Sequence, residues 1–107
     1  TVYGNGTQTR DFTYIDDCVK TFDLIDKKVT GHHILNSSRG KEFDIYSLAK
    51  MIKKKIKSKS NISKVNVPKK IQEFQVMKRS GNSSKLFKLI RYKPKTDLIY
   101  GLDKIFK

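Results

Sequence analysis

The densest chemistry in this chain lies in one run, Tyr3-Gly4-Asn5-Gly6-Thr7-Gln8-Thr9-Arg10-Asp11-Phe12-Thr13-Tyr14-Ile15-Asp16-Asp17. Gly4, Asn5 and Gly6 tolerate positive φ and suit a tight turn. Residues Gln8 to Ile15 then alternate and include Thr, Phe, Tyr and Ile, the pattern of a strand. Alternation places Gln8, Arg10, Phe12 and Tyr14 on one face, with Thr9, Asp11, Thr13 and Ile15 on the other. A guanidinium on such a strand offers a forked donor to an anion such as phosphate. The competing reading of Arg10 is a salt bridge to Asp11 or Asp16. Asp11 and Asp17 are expected to organise the turn and cap the next helix.

Other reactive side chains carry less. Cys18 has no base or second thiol near it in sequence and reads as a small buried residue. It is the single cysteine, so no internal disulfide forms, which fits a reducing compartment. His32 and His33 lack a Cys, His or acidic partner at ligand spacing, so an exposed turn histidine and a strand histidine are expected.

Charge is divided unevenly along the 107 residues. Residues 1–46 hold six basic and seven acidic groups, while residues 47–107 hold eighteen basic and three acidic ones, giving a formal net charge of +14 overall. Such a basic half invites a nucleic-acid reading through counterion release. Twenty lysines against four arginines oppose it, because bidentate base readout uses arginine; a solvated lysine surface accounts for the excess. The length suits one small unit spanning 1–107, and 36% hydrophobic content limits its core. No run of eighteen apolar residues occurs, and the N-terminal residues lack a signal-peptide apolar region. A soluble, cytoplasmic chain is the expectation.

The elements that must position Arg10 follow in order. Cys18, Val19, Phe22 and Ile25 fall at helical spacing after Asp16 or Asp17, predicting a helix to about Lys27. His33–Asn36 reads as a short strand and Ser37–Gly40 as a loop. Asp44 caps a helix that buries Ile45, Leu48, Ala49, Ile52 and Ile56 and exposes Lys50, Lys53, Lys54 and Lys57. That face could meet an anionic membrane, but it lacks Trp and Phe, so a core-packed surface helix is expected. Ile62–Val67 alternates as a strand ending at Pro68, and Phe74–Met77 has extended character. Ser83 or Ser84 caps a helix that Pro94 stops, and Thr96 or Asp97 caps the last one, bearing Leu98, Leu102 and Ile105. The order β-α-β-α-β-(β)-α-α is a mixed α/β pattern.

Together these segments resemble a known family. Gly4-x-Gly6-x-Gln8-Thr9-Arg10-Asp11-Phe12-x-Tyr14-Ile15-Asp16-Asp17 resembles the segment opening the C-terminal portion of NAD-dependent nucleotide-sugar epimerases and dehydratases. These are the extended short-chain dehydrogenases, with UDP-glucose 4-epimerase as a type member. Leu35-Asn36-x-x-x-Gly40 resembles the family's N-x-G-x-G loop, and Ile45-x-x-Leu48-Ala49-x-x-Ile52 its following helix. Ser84-Lys85-Leu86, then Arg91-Tyr92-Lys93-Pro94-Lys95-x-x-Leu98-x-x-Gly101-Leu102, resembles its closing S-K-A/L … G-W-x-P-x-x-x-L-x-x-G-L pattern.

The resemblance implies an α/β fold, the C-terminal substrate-binding portion of a Rossmann-type enzyme without the N-terminal nucleotide-binding half. It implies that Arg10 contacts the diphosphate of a nucleotide-diphosphate sugar, with Gln8, on the same face, and Arg79, as the second phosphate arginine, also binding substrate. Lys70 is a further possibility. Departures are Ser38 for the first loop glycine, Gln72–Glu73 near the usual G-D pair, Asn82 for an aspartate, and Arg91–Tyr92 for G-W. Ser38, Asn82 and Arg91–Tyr92 sit at capping or packing positions, while the missing G-D pair bears on the placing of the second phosphate cation. The family's G-x-x-G-x-x-G is absent, and Tyr46–Lys50 and Tyr100–Lys104 match its Y-x-x-x-K spacing only on helices remote from the catalytic place. No catalytic residue is therefore assigned.

NAD belongs to the parent enzyme, with none expected to bind this chain alone. The partners implied are the N-terminal Rossmann part or a second copy. A lysine-rich nucleic-acid module and a non-functional truncated remnant are the alternatives. The chain alone is expected to be inactive: incubated with NAD, it should leave UDP-glucose and UDP-galactose unconverted, as scored by chromatography of the two sugars.

Overall fold

A computed structural model describes residues 1–107. The opening run makes two short strands instead of one long one. β1, Val2–Tyr3, lies parallel to β4, Lys64–Val65, and the turn through Gly4 and Gly6 then leads into β2, Thr9–Asp11. β2 pairs antiparallel with β3, Glu42–Asp44, setting Arg10 opposite Phe43 and Asp11 opposite Glu42. β1 and β3 are additions to the sequence reading. Both are very short, and their alternation is too brief to register as a pattern.

Gly6 is required by packing as well as by its φ of +72°. A Cβ there would stand 2.7 Å from a Val2 methyl carbon and 2.8 Å from Tyr46 Cβ, closer than folded chains allow. This approach lets the opening run close the end of α2, Ile45–Lys55. The first N–H groups of a helix have no partner within it. Here the Gln8 carbonyl accepts from Ile45 N–H and the Gly6 carbonyl from Tyr46 N–H, while the Asp44 carboxylate accepts from Ser47 N–H. The predicted Asp44 cap is present.

α1, Ile15–Lys28, starts earlier than its aspartates suggested. Tyr14 is its N-cap residue, and Asp16 and Asp17 lie in the first turn, where the helix dipole favours them. The predicted cap by Asp16 or Asp17 is thus corrected. Asp17 turns instead toward the C-terminal part of the chain. Its carboxylate accepts from the Tyr92 hydroxyl and from the Lys95 and Thr96 N–H groups. Cys18, on the same helix, is half-buried.

His33–Asn36 forms no strand, and Ile34 is 90% exposed. A strand needs a neighbour to satisfy its ladder, and neither sheet of this chain extends to that segment. Phe74–Met77 likewise forms no strand; the preceding Lys69–Gln72 is a one-turn helix, α3. Its continuation nevertheless runs beside β2, because Thr9 N–H donates to the Met77 carbonyl and Asp11 N–H to the Arg79 carbonyl.

α4, Ser84–Ile90, packs on α1 and supplies the most buried apolar side chains, Leu86 and Ile90. Asn82 accepts from Ser84 N–H at its start, whereas the Ser83 hydroxyl is taken by the Ser38 main chain, so neither serine side chain caps it. α5, Leu98–Ile105, packs on α2. Asp97 is its N-cap residue, but the Asp97 carboxylate pairs with Arg39. Gly101 on α5 lies under the Tyr14 ring, where an added Cβ would sit 3.1 Å from a ring carbon.

The whole is a slab of 48 × 37 × 17 Å with a radius of gyration of 16.7 Å. A compact chain of this length has a radius near ~13 Å. Its accessible surface is 8209 Å², against about 6,100 Å² for a compact monomer of this mass. Part of the surplus is apolar: Ile15, Val19 and Phe22 on one face of α1 are each at least three-fifths exposed. No helix is long and apolar enough to cross a membrane.

Arg91 ends α4 in the left-handed region at φ +57°, where the resembled pattern has glycine. A non-glycine residue there costs about 1–2 kcal/mol, partly offset by the extra unfolded-state freedom of glycine. Arg91→Gly should therefore raise stability by roughly 0.5–1 kcal/mol in urea unfolding.

The Asp17 network sets a second expectation. Burial alone would raise the Asp17 pKa, yet the hydrogen bonds from Tyr92, Thr96 and Lys95 outweigh it and hold the carboxyl below its ordinary 3.8. Burial and the Asp17 charge push the Tyr92 hydroxyl up to about 12. A depressed carboxyl stabilises the fold above its unfolded pKa and loses that contribution as pH falls through the folded value. A raised phenol contributes fully below about 10 and loses its contribution as pH rises from there through its folded pKa. Tyr92→Phe should cost about 1–2 kcal/mol near neutrality. The deficit should narrow below the ordinary carboxyl pKa and again above pH 10, as urea midpoints across pH will report.

Candidate functional site

β2 sits between β3 on one side and the 76–79 segment on the other, so Arg10 is held from both. Arg10 is half-buried, and its Nη1 donates to the Thr9 carbonyl at 2.6 Å and the Val76 carbonyl at 2.9 Å. It makes no salt bridge with Asp11 or Asp16. Two neutral carbonyls thus anchor one nitrogen of the fork without cancelling its charge. Nη2 and Nε have no protein acceptor. A planar cation held in this way can present a pair of parallel N–H donors to an anion.

Gln8 is buried, and its Nε2 lies 3.4 Å from the Tyr3 carbonyl, spanning the turn through Gly4 and Gly6. Arg79 is exposed, and its side chain makes no ion pair or hydrogen bond within the chain. The structure brings the two arginines onto adjoining backbones: Asp11, next to Arg10, donates its N–H to the Arg79 carbonyl at 3.1 Å. Lys70 lies on α3, exposed on the same connecting segment.

Asp11 ties this strand to two distant loops. One carboxylate oxygen accepts from Gly40 N–H at 2.8 Å and from Gly81 N–H at 3.2 Å; the other is buried and receives no donor from the protein. Gly81 must be glycine here, because a Cβ would collide with the Ser38 side chain at 2.6 Å. Sequence reasoning missed this arrangement, although isolated glycines in polar loops can mark close backbone approach. Gly40 and Gly81 also line an open cavity of about 560 Å³ with Asn82, Ser83, Lys88 and Lys93. Arg10, half-buried, and Arg79, exposed, do not line it.

The remaining chemistry is sparse. No group of three His, Cys, Asp or Glu side chains is arranged to hold a metal. Lys50 lies over the Tyr46 ring at 4.4 Å and Lys104 over the Tyr100 ring at 5.2 Å, the geometry of surface cation–π pairs. Lys64 stacks on Tyr46 as well.

No protein-family model matches the chain. It is 30% identical over 102 residues to a UDP-glucuronate 4-epimerase of Thermodesulfobacterium geofontis, covering 94% of this chain and 30% of that protein. Among solved structures it is 26% identical to UDP-glucuronic acid 4-epimerase from Bacillus cereus in complex with NAD, with a TM-score of 0.75. That match covers 98% of this chain and 31% of the other. UDP-glucose 4-epimerase from Thermotoga maritima, solved with UDP-glucose, superposes at a TM-score of 0.85 with 23% identity, over 98% of this chain and 33% of that one. The chain spans about a third of the length of the proteins it matches. In sequence and fold it is a member of the extended short-chain dehydrogenase family of nucleotide-sugar epimerases and dehydratases, matching their C-terminal portion.

Proposed function

We propose that residues 1–107 form a single partial domain, the substrate-binding part of an NAD-dependent nucleotide-sugar epimerase or dehydratase. In this reading Arg10 contacts the substrate diphosphate, Arg79 supplies a second cation, and Gln8 holds the turn that leads into the arginine strand. The observation that carries it is the anchored fork of Arg10, whose Nη1 is bound by two carbonyls while Nη2 and Nε have no acceptor in the chain. A guanidinium already oriented loses little freedom when it meets a phosphate.

NAD would supply hydride transfer to and from a sugar carbon in the parent enzyme. Residues of this chain do not fit that cofactor. Its one close glycine pair, Gly4 and Gly6, leads into a strand, and the space above Gly6 is filled by Val2 and Tyr46. A pyrophosphate cradle needs open backbone N–H groups at a helix start. The cofactor therefore falls to a nucleotide-binding part, for which the bare α1 face of Ile15, Val19 and Phe22 offers a docking surface. Aqueous compartments suit the reading, and the cytoplasm is the natural one.

Titration of the isotope-labelled chain with UDP tests the phosphate role by NMR. UDP should shift resonances around Thr9–Asp11, uridine should do so far more weakly, and Arg10→Ala should weaken UDP binding by about tenfold or more. Equal binding by wild type and Arg10→Ala would remove Arg10 from the site.

A further inference from the structure

We infer that Asp11 is a positioning residue that locks the segment bearing Arg79 beside Arg10, so that both cations can serve one diphosphate. The inference rests on the proposed role of the two arginines and adds the residue that makes them act as a unit. Three hydrogen bonds carry it. Asp11 N–H donates to the Arg79 carbonyl at 3.1 Å, and Asp11 Oδ2 accepts from Gly81 N–H at 3.2 Å and from Gly40 N–H at 2.8 Å. One residue therefore grips the 79–81 segment on both sides of Ser80 and ties it to the loop before β3.

The grip matters because little else holds that segment. Residues 73–80 contain no helix or strand, and Met77, Lys78, Arg79 and Ser80 are all exposed. The remaining ties to β2 are the Met77 carbonyl, bonded by Thr9 N–H, and the Val76 carbonyl, bonded by Arg10 itself. Arg79 carries a long side chain whose rotamer freedom is costly to lose on binding. Fixing its backbone removes part of that cost before the ligand arrives.

The carboxylate also predicts its own conservative replacement. Oδ2 accepts both amides, whereas Oδ1 faces no protein donor. An asparagine can place its oxygen at the Oδ2 position and its NH₂ at the Oδ1 position without meeting an opposed donor. Asp11→Asn should keep the grip, and Asp11→Ala should release it. Charge alone would make the two variants alike.

The test uses the 107-residue chain with UDP as probe and amide hydrogen exchange at Gly40 and Gly81 as a second readout. Asp11→Ala should speed exchange at both glycines and weaken UDP about tenfold, Asp11→Asn should restore most of each, and Arg79→Ala should add little further loss once Asp11 is alanine. Where Asp11→Ala does not fold, Asp11→Ser, too short to reach both amides, carries the same expectation. The inference is overturned if Asp11→Ala binds UDP as wild type does, if Asn fails to rescue, or if the two amides exchange unchanged. If wild type itself does not bind UDP, the phosphate reading of Arg10 and Arg79 fails and the positioning role falls with it. Amide exchange then reports separately whether the grip exists.

Discussion

The buried carboxylate of Asp17 is the interaction on which most of this structure depends. It is 6% exposed and joins the first turn of α1 to residues 92–96, more than seventy positions away. Only Val2, Leu86 and Ile90 among the larger aliphatic side chains are buried, so apolar packing cannot specify the fold by itself. Polar cross-links do that instead: Asp17 to the C-terminal loop, Asp11 to Gly40 and Gly81, and Ser83 to Ser38. Each is worth only about 1–3 kcal/mol when formed, but leaving such a group buried without its partners costs a comparable amount. A slab built in this way is specific in its register and modest in its stability.

The same economy shapes the arginine strand. β2 is three residues long, yet its main chain is bonded to β3 and to the 77–79 segment. Packing of Gly6 against Val2 and Tyr46 sets where the strand begins, and Tyr14 over Gly101 sets how it leaves. Between those fixed points Arg10 is aimed by two carbonyls. The bonded backbone thus holds a half-buried cation that no carboxylate of the chain neutralises.

The extra surface of the chain and the exposed face of α1 belong to the same account. Residues that would line a second layer in a compact domain lie on the outside of a body 17 Å thick. Ile34, predicted as part of a strand, is bare for the related reason that no strand lies beside it. Both features are understandable in a unit that matches about a third of longer relatives.

By itself the sequence determined α1, α2, α4 and α5, the Asp44 cap and the family, though not the one-turn α3, because these depend on local periodicity and on ordered short motifs. It pointed to Arg10 and to Arg79 as cations of interest, and it identified Arg91 and Tyr92 as capping and packing positions. Tertiary structure decided the rest. Asp17 reads as a helix cap in sequence but becomes a long-range anchor; Asp97 reads likewise but pairs with Arg39. The two-residue strands, the Asp11 bonds to Gly40 and Gly81, and the choice of carbonyls over carboxylates for Arg10 all join segments distant in sequence. Local spacing carries no information about such partners, because a short polar side chain satisfies a neighbouring amide or a remote one equally well, and only the folded chain selects between them.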